Sequence, residues 1–185
     1  MIFRKTKIKG LYIVEPELKI DERGNFQRIF CQEELSKYGI KFNIRQINQS
    51  LSKKRGTLRG LHFQKPPKAE DKIVQCLKGA IYDVAVDLRK NSPTYGRWVA
   101  VELSEENKKM FLIPKGFAHG FQTLTDNCEV QYFVSEFYFP EYERGICWND
   151  PFLNIDWPIK NPILSKKDQN WPLMDKNSIN LIKKL

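Results

Sequence analysis

The sequence predicts an all-β protein, a sandwich or jelly roll that encloses a pocket. Apolar and polar residues alternate from about residue 10 to residue 138, with the two-residue period of half-buried strands. Turn residues separate the alternating segments: Lys78-Gly79 predicts a tight hairpin, and 91–96 a longer loop. Many short antiparallel strands at this spacing are typical of sandwiches and jelly rolls.

The predicted elements follow from these patterns in chain order. Apolar and β-branched residues predict strands at 11–14, 26–31, 44–51, 57–63, 72–77, 80–88, 98–103, 111–114, 120–124 and 129–137. A helix is predicted at 32–38, because Gly39 follows it as a C-terminal cap.

Beyond Pro140 the alternation ends, and aromatic residues and prolines follow without a period. We expect this tail to pack over the barrel rather than to form a second domain. The prediction is therefore one domain, 1–185, with a barrel core at about 40–140. Residues 175–185 are predicted to form a short amphipathic helix.

The composition fits a globular protein. Of 185 residues, 41% are hydrophobic and 29% charged, which supplies enough apolar side chains for a core. No run approaches the roughly 20 apolar residues of a membrane helix. The charged N-terminal segment lacks the apolar centre of a signal peptide. We therefore predict a soluble, cytoplasmic protein with no membrane partner.

The net charge of +9, from 31 basic and 22 acidic residues, favours anionic partners such as phosphorylated metabolites, acidic lipids or nucleic acid. The densest basic run, Lys53-Lys54-Arg55, is short, so a solvated lysine-rich surface accounts for most of the charge. A nucleic-acid binder needs aromatic residues interleaved with basic ones on an exposed sheet. We expect no nucleic-acid partner.

The cysteines predict neither disulfides nor a metal cluster. The chain contains no CxxC pair and only two histidines to complete a metal site. The cysteines lie among apolar or strand-like residues, which favours buried, reduced thiols. They are Cys31, Cys76, Cys128 and Cys147.

Two histidines on predicted strands are the first candidates for chemistry. His62 follows Arg59 and Gly60, and His119 lies in a segment that leads into a strand. Strict alternation would place Arg59 and His62 on opposite faces, so Gly60 suggests a β-bulge. A single strand histidine is more often structural. Here Arg59, Lys72, Lys115 and both histidines lie among strands that could line one cavity.

At this point the sequence resembles a known family. The strings at 57–64 and 114–121 match the two cupin segments. More narrowly, residues 1–172 resemble the nucleotide-sugar 3,5-epimerases of the dTDP-4-dehydrorhamnose 3,5-epimerase family. The matching strings are DERGNF at 21–26, GTLRGLHFQ at 56–64, YDVAVDLR at 82–89, SPTYG at 92–96, PKGFAHGF at 114–121, PEYERGI at 140–146 and WNDP at 148–151.

The resemblance implies a cupin jelly-roll homodimer that epimerises a nucleotide-linked 4-keto-6-deoxy sugar without a cofactor. A ketone acidifies the hydrogens on its neighbouring carbons, so one group must remove a proton and another must return it to the opposite face. By resemblance, His62 is the base, Asp168 orients it, Lys72 stabilises the enolate and Tyr132 is the acid. Neutral imidazole is plentiful at neutral pH, which suits the first role. Without the resemblance, Tyr132 would be assigned to the core.

The resemblance also implies substrate contacts. Arg23 and Arg59 would hold the diphosphate, and guanidinium groups suit phosphate oxygens. An ion pair with Arg144 is an equal alternative for one of the other contacts, Glu143. Arg28 stands where the characterised thymidine enzymes carry a glutamate, which leaves the nucleobase open. The remaining contacts are Gln46, Asn48, His119, Tyr138, Glu143 and Lys167.

No metal site is predicted, because Gln64 occupies the position of the second histidine in the usual first cupin segment.

Three alternatives to the leading function stay open. The substrate could be a GDP-linked 4-keto heptose or hexose. Only C3 or only C5 could be inverted. The pocket could bind a sugar without turnover, although a binding pocket needs no base opposite an acid.

Overall fold

The structure, a computed structural model, describes residues 1–174. The strands are β1 Ile2–Lys5, β2 Tyr12–Glu15, β3 Lys19–Asp21, β4 Gly24–Phe26, β5 Gln46–Ser52, β6 Leu58–Gln64, β7 Lys72–Lys78, β8 Ala80–Asp87, β9 Trp98–Ser104, β10 Met110–Ile113, β11 Phe117–Thr123, β12 Cys128–Val134 and β13 Glu143–Gly145. The helices are α1 Gln32–Ser36 and α2 Lys166–Gln169, with a 3-10 turn at Pro140–Tyr142. The helix predicted at 175–185 lies outside the described residues.

Two antiparallel sheets form the body of the fold. One has the strand order β1-β2-β10-β7-β12-β5, and the other has the order β13-β6-β11-β8-β9. The β3–β4 hairpin pairs with neither sheet. This is the jelly-roll arrangement of the cupins, so the predicted fold class is confirmed.

The alternation of each strand divides its side chains between two layers. Ile81 and Ala85 of β8 face inward and pack with Val74, Phe111 and Val130 of the other sheet. Burying a side chain of the size of Ile81, Val74 or Phe111 contributes roughly 1.5–3 kcal/mol. The even-numbered residues of β8 face outward instead.

The segment after β13 covers the outer face of the five-stranded sheet. Trp157, Leu153 and Met174 pack there against Val84 and Val86. Buried Asp150 fastens this segment, because its carboxylate accepts hydrogen bonds from the backbone of Phe152, Leu153 and Met174.

Most predicted strands occur within about three residues of their predicted bounds. The strand predicted at 26–31 is wrong, because β4 ends at Phe26 and the chain then runs without regular structure to α1. The short elements β1, β3, β13 and α2, of three or four residues each, were not predicted from the sequence. The predicted helix ends early, at Ser36, although Gly39 does adopt a positive φ of 73°.

The bulge predicted at Gly60 is confirmed. His119 pairs with His62 and Phe121 with Arg59, so β6 carries one more residue than β11 across this interval. The extra residue turns Arg59 and His62 to the same face. Only glycine fits, because φ is 135° and a Cβ atom would lie 2.5 Å from the Cα atom of Gly120.

All four cysteines are free thiols. The predicted burial is confirmed for Cys76 and Cys128 and is wrong for Cys31 and Cys147, which are partly exposed. Burial raises the pKa of Cys76 to about 12, so this thiol stays protonated at neutral pH.

Among residues 1–174, no helix is long and apolar enough to cross a membrane.

Candidate active site

A two-lobed cavity lies between the sheets, where the rows of core side chains become polar. The first lobe, of about 450 Å³, is lined by residues of β5, β6, β7, β11 and β12 and of the segment 163–168. The second, of about 340 Å³, lies towards β13. His62, Lys72 and Tyr132 line both lobes, so the lobes form one continuous site.

His62 and Asp168 form a hydrogen-bonded pair at the centre of this cavity. His62 Nε2 lies 2.5 Å from Asp168 Oδ1, and α2 delivers the carboxylate. Ser165 caps α2, and its hydroxyl donates to Asp168 Oδ2 at 2.9 Å. The Asp168 side chain is only 5% exposed and that of His62 is 28% exposed. Ser165 and α2 therefore hold Asp168 in the protein interior, and the His62 ring remains accessible from the cavity.

Asp168 is a carboxylate at neutral pH. Burial acts to raise its pKa, but the hydrogen bond and charge of His62 and the Ser165 hydroxyl outweigh burial and lower it. A carboxylate only accepts, so His62 donates from Nε2. In neutral His62 the lone pair is then on Nδ1, the nitrogen free to act as a base.

Lys72 and Tyr132 come from the opposite sheet. Tyr132 continues the inward row of β12 and packs against the core. Lys72 begins the inward row of β7, and its Nζ lies 2.9 Å from Glu70 Oε1. Both side chains of this ion pair are nearly buried, which holds the ammonium group at the cavity wall.

A second group of predicted contacts lies at the second lobe, which Tyr138 and Glu143 line. Tyr138 donates its hydroxyl hydrogen bond to Glu143 Oε2 at 2.6 Å, and Lys167 pairs with the same oxygen. Burial would raise the pKa of Glu143, but Lys167 and Tyr138 lower it. The alternative pairing with Arg144 is wrong, because that guanidinium donates to the carbonyls of Glu141 and Glu143. Gln46 and Asn48 line the same lobe.

The three arginines predicted as substrate contacts divide into two groups. Arg59 lines the first lobe, where Nε donates to Ser52 Oγ at 3.2 Å. Arg23 and Arg28, and also Lys115, are absent from the residues that line either lobe. Arg23 is 85% exposed and pairs with Asp21, whereas Arg28 pairs with Glu34. The structure therefore does not bring these two arginines to the cavity of their own chain.

His119 has a carboxylate partner that the sequence analysis missed. Its Nε2 lies 2.5 Å from Asp83 Oδ1, and His119 is the cross-strand neighbour of His62. The signal in the sequence was a charged residue at an inward position of β8, between Ile81 and Ala85. Glu70 and Ser165 were also missed, because their partners are brought near only by the fold.

Gln64 has a structural role at the position where many cupins place a metal ligand. Its Nε2 donates to the carbonyls of Lys68 and Phe137, and its Oε1 accepts from the backbone of Phe139. Within residues 1–174, no group of three or more His, Cys, Asp or Glu side chains is arranged to hold a metal ion.

A jelly roll with ionisable groups on both walls of one internal cavity is typical of the cupin-type enzymes. Such groups can exchange protons with a bound ligand. The comparison with known proteins narrows this class. Residues 5–176 match the family model described as dTDP-4-dehydrorhamnose 3,5-epimerase. The chain therefore belongs to the dTDP-4-dehydrorhamnose 3,5-epimerase family, whose members are isomerases.

Individual relatives agree with the family model. The chain is 48% identical over 182 residues to dTDP-4-dehydrorhamnose 3,5-epimerase of Methanothermobacter thermautotrophicus, covering 97% of both chains. The Bacillus anthracis epimerase, solved with TDP and PPi bound, is 45% identical with a TM-score of 0.91, over 94% of this chain and 99% of that one. The Legionella pneumophila enzyme, in complex with dTDP-4-keto-L-rhamnose, is 43% identical with a TM-score of 0.89, over 98% and 94%.

Proposed function

We propose that this chain inverts C3 and C5 of dTDP-4-dehydro-6-deoxy-D-glucose, in the synthesis of deoxysugars for surface polysaccharide. The observation that carries the proposal is the placement of His62 and Tyr132 on the two sheets that enclose one cavity. A base on one side of a sugar ring and an acid on the other are what inversion beside a ketone requires.

In the first step, His62 Nδ1 removes the proton from C3 or C5. The electron pair of the broken C–H bond moves to the C4 oxygen and forms an enolate. The Lys72 ammonium group, held in place by Glu70, stabilises the developing charge. Asp168 stabilises the imidazolium form of His62. A positioned general base typically contributes about 10²–10⁴-fold to the rate.

In the second step, the Tyr132 hydroxyl returns a proton to the same carbon from the opposite face. The enolate electron pair forms the new C–H bond and the C4 ketone is restored. Tyr132 is left as a phenolate and His62 as an imidazolium, so both exchange a proton with solvent before the next inversion. Repetition at the other carbon gives the doubly inverted product.

The identity of the substrate is tested by turnover. We expect the protein to convert dTDP-4-dehydro-6-deoxy-D-glucose, followed by NMR, and to leave the GDP-linked 4-keto hexose and heptose unchanged. Conversion of the GDP-linked sugars alone would contradict the choice of nucleotide. Inversion of only one carbon would contradict the double inversion and identify a C3 or C5 epimerase. Binding of the sugar without turnover would contradict enzymatic activity and identify a sugar-binding pocket.

Asp168→Asn should slow epimerisation while leaving the fold intact. The variant loses a charge-assisted hydrogen bond to His62, worth about 1.5–3 kcal/mol or about 10–150-fold in rate. This loss is smaller than removal of the base itself. We would measure kcat and KM for the variant across the pH range. Unchanged turnover throughout would remove Asp168 from the mechanism.

Asp168 also predicts a pH dependence of stability. Its folded-state pKa lies below the ordinary value of 3.8, so its stabilising effect is complete above that value and is lost as the pH falls through the folded-state pKa. The difference in Tm between wild type and Asp168→Asn should therefore narrow as the solution is acidified below about pH 4. A difference that widened on acidification would contradict the assigned pKa direction.

Exhaustive treatment with EDTA should leave the activity unchanged. This expectation rests on the donor set of the cavity, in which Gln64 is fully engaged by backbone groups. The test compares kcat before and after chelation and after return of divalent ions. Activity that disappears and is restored by one particular ion would contradict the metal-free mechanism.

We further propose that a second copy of the chain completes the site. The β3–β4 hairpin carries Arg23 and exposes Ile20 and Phe26, which are 76% and 63% exposed. The edge strand β5, whose inner face lines the cavity, exposes Ile47 and Leu51 on its outer face. A dimer that covers these apolar side chains would also let Arg23 reach the cavity of its partner.

Mixing two inactive variants tests this arrangement. Arg23→Ala and His62→Ala should each be impaired as homodimers, but a refolded mixture should regain part of the wild-type activity. In a mixed dimer, one of the two sites contains both native residues. A mixture as inactive as its components, or a monomer by sedimentation, would contradict the proposal.

The cytoplasmic location and the absence of a nucleic-acid partner stay predictions.

A further inference from the structure

Two buried aspartates on β8 have contrasting environments. Asp83 and Asp87 both face inward and are both 0% exposed. Asp87 is fully satisfied: Arg89 donates to both of its oxygens at 2.8 Å, and Ser92 and Thr94 donate to Oδ2. Asp83 has His119 at Oδ1, but within the described residues its buried Oδ2 has no hydrogen-bond partner.

The energetics of the two carboxylates differ accordingly. Burial acts on both, but the Arg89 guanidinium and the two hydroxyls lower the pKa of Asp87. Burial prevails at Asp83 and raises its pKa, against the charges of His119 and Lys72. A buried acceptor without a partner lowers the stability of a fold. Asp87 is thus explained by stability, whereas Asp83 is not.

The geometry of His119 indicates what Asp83 does. Nε2 faces Asp83, so Nδ1 is the ring nitrogen left to face the cavity. His119 lines the first lobe and not the second, as does Arg59, which we assign to the diphosphate. The other charged or titratable groups that line this lobe are His62 on β6, Lys72 on β7, Tyr132 on β12, and Lys167 and Asp168 on α2.

We propose that Asp83 is a positioning residue, which locks the His119 ring through Nε2 so that Nδ1–H donates a hydrogen bond to a diphosphate oxygen of the substrate. The inference rests on the proposed function, because it takes a nucleoside diphosphate as the ligand. The anion of the ligand then lies on one side of the ring and that of Asp83 on the other.

Asp83→Asn tests the proposal, with dTDP as the probe in calorimetric titrations at neutral pH. We expect the Kd for dTDP to rise about 10-fold or more, as for loss of a hydrogen bond to a charged group. KM should rise with Kd, and kcat should change less. Tm should stay the same or increase, because the variant no longer buries an incompletely paired carboxylate.

Asp87→Asn is the matched control on the same strand. It should lower Tm, since it disrupts a satisfied network, and leave the Kd for dTDP of the folded protein unchanged. A double-mutant cycle tests whether Asp83 acts through His119. In the His119→Gln background, Asp83→Asn should weaken dTDP binding no further.

Four results would overturn the proposal. They are dTDP binding by Asp83→Asn equal to wild type, additive effects in the cycle, a fall in Tm like that of Asp87→Asn with normal binding, and failure of Asp83→Asn to fold. The last two would assign Asp83 a structural role. Absence of dTDP binding by the wild type would instead contradict the proposed function, and the inference with it.

Discussion

His62→Ala is expected to abolish both epimerisation and the exchange of substrate hydrogens with solvent deuterium. Asp168 holds His62 Nε2, so the variant loses the imidazole that lines both lobes of the cavity and keeps Nδ1 free to remove a proton. The rate of both processes should fall by about 10²–10⁴-fold or more, the contribution typical of a general base. Proton NMR in deuterium oxide measures the two together.

The control for His62→Ala is a variant that costs stability without touching the cavity. Cys76→Ser replaces a buried thiol on β7 that contacts the carbonyls of Lys78 and Gly79. We expect Cys76→Ser to lower Tm and to keep normal kcat in the folded protein. Exchange by His62→Ala at a rate near that of the wild type would show that another group is the base.

Tyr132→Phe is expected to separate exchange from epimerisation. The variant loses one hydroxyl group and keeps the ring, which packs against the core. His62 can still remove a proton, and Lys72 can still stabilise the enolate. The proton then returns mainly from the face that His62 occupies, which restores the original configuration. Deuterium should enter the recovered substrate, while epimer formation falls by about 10²–10⁴-fold.

Tyr82→Phe is the matched control for Tyr132→Phe. It also deletes one phenolic hydroxyl, but its ring packs edge-on against Trp157 beneath the C-terminal segment, away from the cavity. It should form epimer at the wild-type rate. Equal epimer formation by Tyr132→Phe and wild type, with the fold intact, would show that the acid is another group.

The parts of the site that lie on long strands were predictable from the sequence. Alternation located β6, β7, β11 and β12, and the conflict between Arg59 and His62 was enough to predict the bulge at Gly60. Their chemical roles were not predictable this way. An alternating pattern assigns Tyr132 to the core, and only the resemblance to a family suggested a proton donor at that position.

The remaining parts depend on contacts between distant segments. Asp168 lies on a four-residue helix, and it meets His62 only because the C-terminal segment folds back over the sheet. Asp87 takes its partners Arg89, Ser92 and Thr94 from the loop that follows it in the sequence, whereas Asp83 meets His119, 36 residues away, only through the fold. For Arg23 and Arg28 the sequence resemblance predicts substrate contacts, but both side chains lie away from the cavity of their own chain.

Inversion by proton removal and return places a solvent-derived hydrogen at each inverted carbon, so solvent deuterium reports directly on this mechanism. Wild-type protein would convert dTDP-4-dehydro-6-deoxy-D-glucose in deuterium oxide, and NMR would locate the label in the product. We expect deuterium at C3 and C5, both inverted, and at no other carbon-bound position. Inverted product that retains its original hydrogen at both carbons would contradict it.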